Sequence, residues 1–276
     1  MSFSVNTNAS ALSALRNLNF TTNSLEETQN RVNTGLKINT AKDNAAVYAI
    51  AQRLRGDLRG FNAVKQSLDR AISTTDIALA AGGSISDLLI EMKEKAVAAA
   101  DVGIDTASRS ALNEDFAQLR DQITTIVANS EFNGSNLIDG GTDKVVGITN
   151  PNATQTISID HQNLTLGGGN ITITATQTIN TATDAAAAVT AITASLDNVN
   201  SVLTTIGAGA KALELQRGFA DKLSDAIEVG IGNLVDADLA RESARLQALQ
   251  VKQSLGVQAL SIANQAPQAV LQLFQG

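Results

Sequence analysis

The two ends of the chain carry matching apolar patterns. From residue 235 onward, Leu239, Leu246, Leu249, Val257, Leu260, Ala263, Val270 and Phe274 step by threes, fours or whole heptads, as one helical stripe does. Gln253 interrupts the stripe as a polar seam residue, and Pro267 is expected to kink or break the helix. At the other end Leu18, Leu25 and Val32 lie seven apart, flanked by Leu15 and Leu36. No charge precedes Arg16 and none follows Lys252. Burying a large apolar side chain contributes about 1.5–3 kcal/mol, while ordering each residue costs about 1.5 kcal/mol. A lone terminal helix therefore does not hold itself together. The pattern predicts a terminal coiled coil completed by neighbouring molecules, with Leu15, Leu18, Leu25, Val32, Leu246, Leu249, Gln253, Val257, Leu260 and Phe274 at its interfaces.

Between the ends, helical spacing dominates. After a polar break at LKINTAKDNA, Asp43 or Asn44 caps a helix whose row runs Val47, Ile50, Leu54, Leu58, Phe61, Val64, Leu68, Ile72 and Leu79. Gly82-Gly83 weakens it, and Ile85, Leu88, Met92, Ala96 and Ala99 resume it. Unbroken, that helix spans roughly 85 Å at ~1.5 Å per residue. A turn at 101–106 leads to a helix with Leu112, Phe116, Leu119, Ile123 and Ile126 on one face, and Asn133-Gly134 marks the next turn. The period then changes to two: Thr156–Asp160 and Asn170–Thr174 alternate β-branched residues around a Gly167–Gly169 break, which predicts a small antiparallel hairpin or meander. A last long helix starts near Thr183-Asp184 and runs through Val189, Ile192, Leu196, Val199, Leu203 and Ile206.

The fold class expected is mainly α: a long antiparallel helical rod with a terminal coiled coil and a small β-hairpin or meander at the far end. Its divisions are 1–42 with 235–276 for the coiled coil, 43–138 with 181–234 for the helical body, and 139–180 for a short outer β region.

Composition narrows the chemistry. The net charge of −7 argues against nucleic acid as the main ligand, and without cysteine there is neither a disulfide framework nor thiol chemistry. The first residues carry no basic, apolar leader, so neither a cleavable secretory signal nor membrane insertion is expected. Ile206–Ala212 matches G-x-G-x-x-A with Glu228 about twenty residues on, but it follows a helical period rather than a strand. Close helix packing is the better reading. Arg53, Arg55, Arg59, Lys65 and Arg70 form a basic run without interleaved aromatics, which reads as a solvated or inter-subunit face. His161, the single histidine, has only Asp160 beside it and makes no metal site. No catalytic, cofactor or metal constellation emerges.

With those pieces assembled, the chain resembles bacterial flagellin. SVNTNASALSALRNL and LEETQNRVNTGLKINTAKDNAA resemble that family's amino-terminal region, and Glu131–Gly134 its turn after the second body helix. DADLARESARLQALQVKQSLGVQALSIANQAPQAVLQLF is similar to its carboxy-terminal signature. AKDNAA and the short length resemble the alphaproteobacterial forms. The resemblance implies a filament subunit exported through a type III channel and polymerised outside the cell, serving swimming motility. It implies a homopolymer (mixed with other flagellins in some filaments), an export chaperone on the C-terminal helix, and filament-cap and hook-junction partners. A hook–filament junction protein or a non-assembling helical adaptor are the alternatives. Recognised flagellins present an Arg and, one turn on, a Leu to the animal innate receptor for flagellin. The matching positions here are Glu91 and Lys95, a charge reversal and an apolar-to-charged change on one helical face, so weak recognition by that receptor is expected. The plainer reading, compatible with it, is an exposed i,i+4 salt bridge.

Overall fold

The computed structural model describes residues 7–273. The order of elements is α1 (Ala9–Thr34), α2 (Ala45–Ala100), α3 (Thr106–Asn129), β1 (Glu131–Phe132), β2 (Ser135–Asn136), β3 (Val145–Ile148), β4 (Thr156–Ile159), α4 (Ala182–Val235) and α5 (Leu239–Leu273). The fold is mainly helical, as the spacing predicts. Contacts divide the chain into two compact units, residues 1–56 with 226–276 and residues 57–225. The sequence pattern placed the divisions nearer residues 42 and 235.

Local chemistry sets the helix ends. The Asn8 side chain accepts the Ala11 N–H (3.0 Å) at the start of α1, and Gly35, at φ 71°, closes it by donating to the Arg31 carbonyl (2.9 Å). Asn44 rather than Asp43 caps α2, accepting the Val47 N–H at 3.1 Å. Asp43 holds the preceding turn by accepting from Asn39 and Thr40, which keeps its carboxyl below the usual range. Thr181 caps α4 and donates to Asp184, and Asp238 caps α5. Pro267 does not end α5, which continues to Leu273.

Unit 57–225 is built on a heptad row along α2: Val64, Leu68, Ala71, Thr75, Ala78, Ile85, Leu89, Met92, Ala96 and Ala99 are all buried. Ala71, Thr75 and Ala78 take places that the apolar reading gave to Ile72 and Leu79, which are half-buried. Small residues let the helices approach. A Cβ on Gly82 would come within 2.7 Å of Leu203 Cδ2 of α4, so Gly82 serves packing, and α2 runs on unbroken through Gly82-Gly83. Phe116 and Ile123 of α3 are fully buried in the same unit.

The strands differ from expectation. Asn133 (φ 52°) and Gly134 (φ 81°) make the tight turn between β1 and β2. β4 pairs antiparallel with β3, Val145 opposite Ile159 and Ile148 opposite Thr156, and not with Asn170–Thr174. That second segment forms one parallel bridge, Leu166 to Ile171. Its alternation instead buries Ile171 and Ile173, while the Thr172 N–H donates to Ser195 Oγ of α4 at 3.0 Å. The β3–β4 pair packs on the long helices of its unit. The Ile148 N–H donates to Ser67 Oγ (3.2 Å), and Gly147 lies against Leu68 and Leu213, many turns along α2 from the Asp101–Asp105 turn.

Two outcomes follow from this packing. Phe116→Ala removes a fully buried ring and lowers stability by about 3–5 kcal/mol, read as a fall in the denaturant midpoint. Asp105 accepts the Ser108 N–H at the α3 start, which holds its carboxyl below the usual value of 3.8. A lowered folded-state pKa means the stabilisation is complete above pH 3.8 and is lost as pH falls through the folded value. Thermal melts across acid pH should show the gap between the unmodified chain and Asp105→Asn closing below that point.

Candidate assembly interface

α1 and α5 pack antiparallel within unit 1–56/226–276. Successive contacts fix the register: Arg31 Nη1 to Glu242 Oε1 (3.2 Å), Gln253 Nε2 to Thr22 Oγ1 (3.4 Å), and Asn8 Nδ2 to the Ala263 carbonyl (2.7 Å). Residue numbers rise on one helix as they fall on the other. The inward row of α1 is Ala11, Ala14, Leu18, Thr21, Leu25, Thr28 and Val32, alternating threes and fours. The facing row of α5 is Glu242, Leu246, Leu249, Gln253, Gly256, Leu260 and Ala263, with the same alternation. Only Leu25, Thr28 and Glu242 in these rows are buried; the others are half-buried.

The structure thus brings Leu18, Leu25, Val32, Leu246, Leu249, Gln253 and Leu260 together inside one chain. Leu15 and Val257 are not in this seam. They remain 42% and 54% exposed, each one residue, about 100° of helix turn, from the inward positions Ala14 and Gly256. Phe274 lies outside the described residues. Apolar counting missed Gly256 because it seeks large side chains where the seam needs a small one. A Cβ there would stand 3.2 Å from Leu18 Cδ1 and 3.9 Å from Leu18 Cα. Position in the 3-4 alternation, irrespective of hydropathy, was the signal that could have found Gly256, Thr21 and Thr28.

Polar groups in the seam are only partly answered. Arg31 reaches both Glu27 and Glu242, yet Glu242 Oε2 is buried without a hydrogen-bond partner within the described residues. On the outward faces, Leu12, Leu15 and Phe20 of α1 and Leu239, Val251, Leu255, Val257 and Ile262 of α5 are exposed, Phe20 by 74%. Exposure on this scale along two long helices marks an interaction surface. At the α1–α2 and α4–α5 connections, the Lys37 N–H donates to the Val235 carbonyl (2.7 Å) and the Ala237 N–H to the Gly35 carbonyl (2.8 Å). The helical pair is anchored at that end.

Lys95 pairs with Asp115 of α3, Nζ to Oδ2 at 3.0 Å, and not with Glu91. α3 lies close enough to α2 to offer a carboxylate in better geometry than the one on the same helix. The Asp115 hydrogen bond and charge raise the Lys95 pKa above its usual 10.5. Glu91 is exposed and makes no ion pair among the described residues.

The remaining candidates resolve into structure. The G-x-G-x-x-A segment lies inside α4, where a Cβ on Gly209 would meet Ile159 of β4 at 2.7 Å. His161 Nε2 lies 3.1 Å from Asp139 Oδ1 just after β4. No cluster of three metal-ligating side chains occurs among the described residues, and none of their helices is long and apolar enough to cross a membrane.

Comparison with known proteins supplies the family. Profiles for the bacterial flagellin N-terminal helical region and C-terminal helical region match residues 5–143 and 189–274. Flagellin FljM of Caulobacter vibrioides is 47% identical over 272 residues, spanning 99% of this chain and 98% of that protein. A flagellin of Brucella melitensis is 36% identical over 291 residues, with 99% of each covered. The fold is shared with a putative flagellar hook-associated protein from Vibrio parahaemolyticus, at a TM-score of 0.59, 14% identity, and coverage of 70% of this chain and 100% of that one. Two family profiles over most of the chain and relatives aligned from end to end leave one conclusion: the chain belongs to the bacterial flagellin family.

Proposed function

We propose that this chain works as a structural subunit of the flagellar filament whose α1 and α5 complete their packing on neighbouring subunits. The chain is no enzyme, and its role is to polymerise with itself and with other flagellins outside the cell. The observation that carries the mechanism is the exposed apolar face of each terminal helix, beside a seam that buries little. Covering such side chains contributes about 1.5–3 kcal/mol for each one fully buried. Few need covering to drive association.

In this reading residues 1–42 and 235–276 form the inner layer of the filament, 43–138 with 181–234 the surrounding body, and 139–180 a short outer region. Leu15 and Val257 contact other subunits, not each other. Before export an assembly chaperone covers the apolar face of α5, which otherwise invites premature association. Cap and hook-junction proteins meet the same faces at the filament's ends. Glu91 and Lys95 replace the Arg and Leu of recognised flagellins. Because Asp115 holds Lys95, the receptor face is weakly recognised.

The fold shared with a hook-associated protein favours a second reading, a junction subunit. Labelling along the whole filament, as against one end, separates the two.

Deleting residues 253–276 should abolish polymerisation while leaving the helicity of the central unit mostly intact; normal filaments from that truncation contradict the reading. Gly256→Leu forces a branched side chain against Leu18 and should cost about 1–3 kcal/mol by overpacking. Limited proteolysis of the monomer should then cut α1 and α5 faster while cleavage within 57–225 stays unchanged.

A further inference from the structure

One outward row of α2 reverses its charge along its length. Stepping by threes and fours from Arg59 to Ala98, the row passes Arg59, Arg70, Asp76, Asp87, Glu91 and Glu94. All six are exposed. None has an ion-pair partner among the described residues, while the neighbouring Lys65 and Lys95 are committed to Asp221 and Asp115. The positions between the six on this row carry no charge. Both signs therefore sit on one helix face: cations in its first half, anions in its second.

The two stretches form no ion pair within one molecule, since even Arg70 and Asp76, the nearest of opposite sign, stand six residues apart, ~9 Å at ~1.5 Å per residue. Their centres lie about 20 residues apart, or ~30 Å at ~1.5 Å per residue, some three Debye lengths at ~10 Å each in 0.1 M salt. Mixed charges that only kept a helix soluble would alternate in sign and pair at i,i+4. This row does neither. A contact between unlike patches of identical molecules is heterologous, and it repeats without closing when the rotation does not return on itself.

We propose that the Arg59/Arg70 stretch of one copy docks on the Asp76–Glu94 stretch of a second copy, so that this row is a charge-complementary, head-to-tail contact between subunits. The inference rests on the filament-subunit reading and names a partner surface within it. Opposed patches of this kind set register and reject wrong pairings, since like charges brought together are strongly disfavoured. Glu91 then has a role in assembly in addition to its place on the receptor face.

The test uses charge reversal in the full chain. Arg59→Glu/Arg70→Glu carries two acidic stretches, and Asp76→Lys/Asp87→Lys/Glu91→Lys/Glu94→Lys carries two basic ones. Each alone should raise the critical concentration for polymerisation about tenfold or more. An equimolar mixture should restore assembly to near that of the unmodified chain, because alternate subunits are again complementary. The neutral pair Arg59→Gln/Arg70→Gln, which asks little of the helix, should give a smaller rise. Circular dichroism of each monomer checks that helicity is kept. Either reversed variant polymerising like the unmodified chain overturns the proposal, as does a mixture no better than its components. Failure of the unmodified chain to polymerise would instead count against the filament reading itself.

Discussion

A helix of this kind can satisfy only one stripe at a time, and the α1–α5 seam uses that stripe sparingly. Its positions are filled by Ala11, Ala14, Thr21, Gly256 and Ala263 as often as by leucines, so the backbones approach closely while little apolar area is removed from water. The larger side chains, Phe20, Val251, Leu255 and Ile262, point elsewhere and stay exposed. A seam of small and polar residues fixes register through Asn8, Thr22 and Arg31 and leaves the strongest apolar contacts for other molecules. The internal pairing is weak where the external pairing is to be strong.

The central unit follows the opposite rule. Leu68, Ile85, Leu89, Met92, Phe116, Ile123, Ile192 and Ile206 are fully or nearly fully buried, with Gly82, Gly147 and Gly209 letting helices and the β3–β4 pair close upon each other. Such packing resists sliding. A rigid body holds the exposed charges of α2 at fixed intervals, and fixed intervals are what a repeating contact between identical subunits requires.

Much of this was legible in the sequence because long helices write their period many times over. The α2 and α4 rows, the capping residue Asn44 and the start of α4 could all be read or closely approached, and so could the terminal pairing of Leu18, Leu25, Leu246 and Leu249. What escaped depends on partners distant in the chain. The four-residue strand Val145–Ile148 is too short to show a period of two, and Asn170–Thr174 alternates like a strand yet gives its backbone hydrogen bond to Ser195. Leu15 and Val257 were read on hydropathy as residues contacting neighbouring molecules, while Ala14 and Gly256 fill the seam within the chain. Lys95 was matched to Glu91 because sequence spacing cannot reveal that α3 brings Asp115 closer. In each case a tertiary neighbour outcompeted a local one.

The central claim is that α1 and α5 are only marginally held within one chain and become firmly held between chains. Backbone hydrogen exchange, compared between monomer and filament, tests it most directly. Protection in the monomer should be high across the core of residues 57–225 and low along α1 and α5. On polymerisation it should rise steeply in both terminal helices while the central core changes little. Terminal helices already as protected in the monomer as in the filament would contradict the account.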